Sequence, residues 1–183
     1  MAKLIIGIVG ENAAGKTTAT EYLKNKFNAV TFRFSDMLYD ILKRMYIEPN
    51  RGNLQTISTN LRQNFGDDIM SKVIAQDAKN STADIIITEG VRRPSDVPYL
   101  KELSNFILIY IKADERVRFS RLSNRGEKPD DATKTWEEFQ AEGTQEAEQK
   151  ILEIAATSNF TIDNNGTVED TYRQLDEVVV KHL

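Results

Sequence analysis

At 183 residues the chain is the size of one ordinary domain, long enough to bury a core and too short for a machine of several modules. Its 28 acidic residues against 24 lysines and arginines leave a net charge of −4, which excludes a global positive field for drawing in nucleic acid or an anionic membrane. With no cysteine there are no disulfides, no thiolate chemistry and no cysteine-ligated metals, a composition that suits a reducing, cytoplasmic setting.

Taken in chain order, residues 3–9 (KLIIGIV) are apolar and β-branched, which predicts a buried strand. The run is too short for the core of a signal peptide, and no other run approaches membrane length. It leads directly into Gly10-Glu11-Asn12-Ala13-Ala14-Gly15-Lys16-Thr17, the spacing GxxxxGK(S/T). Glycines at the two ends let the backbone turn tightly beside a phosphate, so that consecutive N–H groups through Asn12, Ala13, Ala14 and on to Thr18 point inward at an anion. Lys16 adds a mobile positive charge, Thr17 a hydroxyl for Mg²⁺, and a helix predicted over 17–27 aims the positive end of its dipole at the same place. The competing reading is a glycine-rich turn that only joins strand to helix; the strand before it and the helix after it favour the phosphate loop. Glu11, a negative charge inside that loop, is expected to point outward.

Further strands are predicted at 29–34, 84–88, 106–111 and 160–162, with helices at 36–44, 53–65, 68–78, 96–103, 115–122, 144–156 and 168–181. The alternation predicts an α/β, three-layer fold: a parallel five-stranded sheet with helices on both faces and ligands at its carboxyl edge, where Gly10, Asp36, Gly90 and Lys112 fall. One domain is expected over 1–183. Residues 45–60, with Pro49-Asn50-Arg51-Gly52, read as a loop within an acceptor-binding helical region at 45–80, and the polar segment opening 125–143 reads as a lid.

Phosphoryl transfer needs charge neutralised and two oxygens held in line more than it needs covalent help. Asp36, after the second strand, is a candidate to orient or deprotonate an acceptor hydroxyl, or else a helix N-cap. Glu89 ends the third strand where an acid can bind a metal through water. Arg92 and Arg93 follow, with forked guanidinium groups suited to an acceptor phosphate, although either can instead pair with Asp96 or Glu89. Arg118, Arg121 and Arg125 share one helical face, which favours an anion between them. Arg62 is a weaker candidate for the acceptor, with salt bridging as the alternative. His182, one residue from the end, is expected to be solvated, and Trp136 to pack rather than to stack on a base.

At these residues the chain resembles the nucleoside monophosphate kinase branch of P-loop kinases, especially dephospho-coenzyme A kinase and the similar deoxynucleoside monophosphate kinases. The likeness spans nearly the whole chain: the phosphate loop, Phe34 to Leu38 (FSDML), Glu89 to Arg93 (EGVRR), the arginine run, and Asp163-Asn164-Asn165-Gly166. It implies ATP as donor with Mg²⁺, a small nucleotide as acceptor, lid arginines closing over the triphosphate, Asp36 facing the acceptor, and the loop around Asn165 lying against adenine. Dephospho-coenzyme A kinases usually carry DxD after the second strand, where this chain has Ser35-Asp36-Met37. Two further readings are a GTPase-like switch, which lacks an NKxD string in the right place, and a nucleic-acid-modifying kinase, which the acidic balance opposes.

Overall fold

Every residue of β1 (Leu4–Val9) is buried, because helices cover the sheet on both faces and neither side of the strand meets water. The computed structural model describes residues 2–125 and 134–183. The remaining strands are β2 (Val30–Arg33), β3 (Ile85–Glu89), β4 (Phe106–Lys112) and β5 (Phe160–Asp163), all parallel in the order β2-β3-β1-β4-β5. This is the α/β three-layer arrangement expected of the alternating pattern.

Successive positions of β1 feed opposite layers. Ile5 and Val9 pack with Leu38, Ile74, Leu100 and Ile154, which come from α2 (Asp36–Arg44), α4 (Ile69–Asn80), α5 (Pro98–Lys101) and α8 (Glu146–Ala155). Leu4, Ile6 and Ile8 pack with Leu23 and Val179 from α1 (Lys16–Phe27) and α9 (Val168–His182). The strand order reverses beside β1, and in open α/β sheets the carboxyl end of such a strand is the ligand position, where a crevice is expected. Among the described residues no helix is long and apolar enough to cross a membrane.

Several local expectations are corrected. The loop expected through 45–60 holds over 45–50 and ends there: the helix expected at 53–65 is α3 (Arg51–Phe65), which starts two residues early because the Asn50 side chain accepts from Asn53 N at 3.0 Å and caps it in spite of Pro49 and Gly52. The helix expected at 96–103 is a 3₁₀ turn, Pro94–Asp96, followed by the short α5, since Pro98 has no N–H to continue the turn. The lid assigned to 125–143 contains α7 (Trp136–Gly143), started by reciprocal Thr135–Glu138 capping. Trp136 and Phe139 pack at 5.3 and 5.4 Å from Phe119 on α6 (Glu115–Arg125), so Trp136 does pack. Residues 126–133 of that lid lie outside the described residues. His182 is not simply solvated: its Nδ1 lies 2.7 Å from the Val178 carbonyl and its ring meets Phe160 edge-on at 5.1 Å.

Candidate functional site

The loop after β1 has room for glycine alone at both ends. A β-carbon on Gly10 would lie 2.6 Å from the Ile111 carbonyl oxygen, and one on Gly15 would lie 2.2 Å from Asn164 Nδ2, at a φ of 100°. Ala13 also takes a positive φ, 60°. Gly15 is the N-cap of α1 and offers no side-chain cap, the condition for a helix end that receives an anion. Thr17 and Thr18 are exposed on its first turn. Lys16 Nζ donates to the carbonyls of Gly10 and Glu11, both at 2.7 Å.

The arginine face of α6 divides. Arg121 donates through Nη2 to the Asn164 carbonyl at 2.8 Å, while its buried Nη1 has no hydrogen-bond partner and stands 3.9 Å from the β-carbon position of Gly15. Arg118 turns instead toward Ala113 O, Asn12 O and the Glu11 carboxylate. Arg125 ends α6, and its side chain falls outside the described residues. Glu11 corrects the expectation of an outward charge: it is buried and accepts from the Tyr110 hydroxyl at 2.8 Å. Burial first and then the Glu11 carboxylate push the Tyr110 phenol up, against the opposing Arg118 charge, so Tyr110 stays a neutral donor.

The loop after β5 meets the phosphate loop through a residue that the sequence marks only as part of 164–166. Buried Asn164 donates through Nδ2 to the Ala14 carbonyl at 2.8 Å and accepts from Thr171 Oγ1 at 2.7 Å. Asn165 lies one residue away and pairs with Asp114, accepting from its backbone N–H at 2.7 Å.

On the other side of the crevice, Ser35 and not Asp36 is the N-cap of α2, and the exposed Asp36 carboxylate accepts from Arg33 N at 2.8 Å. Glu89 is joined to Arg33, its neighbour across the β2–β3 register, at 2.8 Å. Arg92 and Arg93 are exposed, and their backbone N–H groups both donate to one Asp96 oxygen at 2.9 Å. The other Asp96 oxygen receives Arg62 Nη2 at 2.7 Å, so the salt-bridge reading of Arg62 describes its geometry, with a buried partner rather than a surface one. The sequence offers Asp96 as a partner for the Arg92 or Arg93 side chain; the structure has it receive their backbone N–H groups and the Arg62 guanidinium instead. Among the described residues no three His, Cys, Asp or Glu side chains gather as a metal cage.

Asp77 on α4 faces the same acidic neighbourhood, and burial followed by the charges of Asp40 and Asp36 raises its carboxyl above the usual range. A carboxyl raised on folding favours the native state while protonated, and that contribution is lost as pH rises through the raised value. Asp77→Asn is therefore expected to raise the thermal midpoint slightly at pH 7. The advantage should vanish in melts run at successively lower pH through the carboxylate range.

Over residues 9–140 the chain matches the AAA domain family. A UPF0200 protein of Methanocaldococcus jannaschii is 31% identical over 184 residues, covering 98% of this chain and 91% of that protein. A UPF0200 protein of Methanosarcina barkeri is 29% identical over 181 residues, covering 98% and 96%. The crystal structure of shikimate kinase from Bacteroides thetaiotaomicron shares the fold with a TM-score of 0.67 at 17% identity, covering 97% of this chain and 98% of that one.

Proposed function

The chain belongs to the AAA domain family and to the UPF0200 proteins, with a P-loop kinase-like fold, and from that premise we propose that it is an ATP-dependent phosphotransferase acting on a small nucleotide. In this reading the γ-phosphoryl group of ATP passes to a nucleoside or deoxynucleoside monophosphate. The observation that carries it is Arg121 Nη1, a buried guanidinium nitrogen left without a partner beside Gly15. Buried donors are nearly always paired, and an unpaired cationic one beside a phosphate loop is suited to an anion.

The residues present fit Mg-ATP. In this reading backbone groups from Gly10 to Thr18, the Lys16 ammonium and Arg121 would hold the polyphosphate, and Asn165, whose side chain accepts from Asp114 N, would lie beside the base. Thr17 and, through water, Glu89, one of whose oxygens pairs with Arg33, would hold Mg²⁺, which when bound would offset charge on the phosphates. Asp36 orients or deprotonates the acceptor hydroxyl, and exposed Arg92 and Arg93 take its phosphate. Excluding water is what separates such an enzyme from an ATPase.

ADP formation with ATP should be screened against CMP, AMP, deoxynucleoside monophosphates and dephospho-coenzyme A. At least one acceptor is expected to raise the rate well above the acceptor-free level; a flat profile overturns the transferase reading. Arg121→Ala is expected to weaken ATP binding about tenfold to a hundredfold, the scale of a hydrogen bond to a charged group, and a preference for GTP by a wide margin would remove ATP as the donor.

A further inference from the structure

Two arginines one turn apart on α6 sit against the same loop, yet only one has a nitrogen left over. The side chain of Arg118 is 11% exposed. Its Nε donates to Ala113 O at 3.1 Å, its Nη1 to Asn12 O at 3.4 Å, and its Nη2 lies 3.7 Å from Glu11 Oε1. The guanidinium carbon lies 5.5 Å from the Phe139 ring centre. Glu11 is held in turn by the Tyr110 hydroxyl.

We propose that Arg118 is a positioning residue: pinned by Glu11 and Tyr110, it holds the Asn12 carbonyl and so aims the Ala13 N–H at the phosphate, without touching phosphate itself. The inference rests on the reading of residues 10–18 as a triphosphate site. Its physical basis is the planar trans peptide, in which the carbonyl of one residue and the N–H of the next point to opposite sides. Drawing Asn12 O toward α6 therefore turns Ala13 N–H away from α6. Ala13 needs such help, because a positive φ on a residue with a β-carbon persists only where neighbours fix it. The next residue is fixed as well, Ala14 N donating to Glu11 O at 3.2 Å and Ala14 O accepting from Asn164. On the near side, Asn12 N donates to Glu148 Oε2 at 3.4 Å.

Charge gives the same assignment. If Arg118 swung to a phosphate, the Glu11 carboxylate would remain buried with a phenol as its partner, and a buried charge stripped of its counter-ion is strongly unfavourable. Arg121 has neutral partners in Asn164 and leaves no such orphan by turning. Glu11 thus sorts the two arginines, keeping Arg118 on the loop and Arg121 for the ligand.

The test is calorimetric binding of ATP and of inorganic triphosphate at millimolar Mg²⁺ to the full chain and to near-isosteric variants. Glu11→Gln and Tyr110→Phe are each expected to weaken both ligands about three- to tenfold, the scale of one buried hydrogen bond. The Glu11→Gln loss should be absent in an Arg118→Ala background and undiminished in an Arg121→Ala background, a coupling that mere loss of fold stability would not produce. Were Arg118 a phosphate ligand, freeing it and deleting a negative charge would tighten binding. Equal or tighter triphosphate binding by Glu11→Gln therefore overturns the inference. Failure of the unaltered chain to bind either ligand would instead overturn the triphosphate site.

Discussion

Replacing Lys16 with alanine is expected to lower acceptor-dependent ADP formation by at least about a hundredfold, since one preorganised charge in a water-excluded site is worth on the order of 3 kcal/mol or more. Its Nζ donates to the Gly10 and Glu11 carbonyls of the same loop. A phosphate oxygen is a stronger partner for an ammonium than a carbonyl oxygen is. Alanine removes these loop contacts as well, and some of the loss will appear as a looser loop. Thermal melts of the ligand-free variant separate the two effects: a fall in turnover with a nearly unchanged midpoint is the expected pattern. Turnover equal to that of the unaltered chain would contradict the role given to Lys16.

The parts legible in the sequence are those whose physics is local. The buried strand before the loop, the glycine spacing and the helix after it follow from residues adjacent in the chain, and the observed sheet, with its strand order reversing beside β1, follows from their repetition. The missed features are long-range. Nothing near Glu11 announces Tyr110, 99 residues away, and without that hydroxyl an inward carboxylate in a phosphate loop looks unfavourable. Asn164 reaches Ala14 across 150 residues. Arg118 and Arg121 share a helical face as the spacing demands, but which of them is paired is decided by Glu11 and Asn164, neither on that helix. The boundary at 45–60 is displaced for a different reason: Pro49 and Gly52 favour a break, residues 45–50 are irregular, and the Asn50 cap lets the helix expected from 53 begin at Arg51. In 136–143 the Thr135–Glu138 box is written in the sequence, but it follows a polar run without apolar period, so local patterning alone does not mark a helix there.

The second large effect lies across the crevice. Asp96→Ala is expected to destabilise the protein by about 3–5 kcal/mol, the cost of leaving one member of a buried ion pair alone. For a chain of this size that is a fall of roughly 6–20 °C in thermal midpoint. The Arg62 and Asp96 side chains are 8% and 3% exposed, so solvent cannot take over the abandoned guanidinium. The same substitution leaves the N–H groups of Arg92 and Arg93 without their acceptor and releases the turn that presents both side chains. Removing both charges together, as Arg62→Met with Asp96→Leu, is expected to cost less than Asp96→Ala alone, because no buried charge is then unpaired. The functional consequence is directional. Asp96 touches α3 and the segment after β3 and makes no hydrogen bond to the phosphate loop, so triphosphate binding at a temperature where the variant is folded should stay close to that of the unaltered chain, while acceptor-stimulated turnover falls. Equal losses in both would mean that the two sides of the crevice are one cooperative unit, and would remove the assignment of Arg92 and Arg93 to the acceptor side alone.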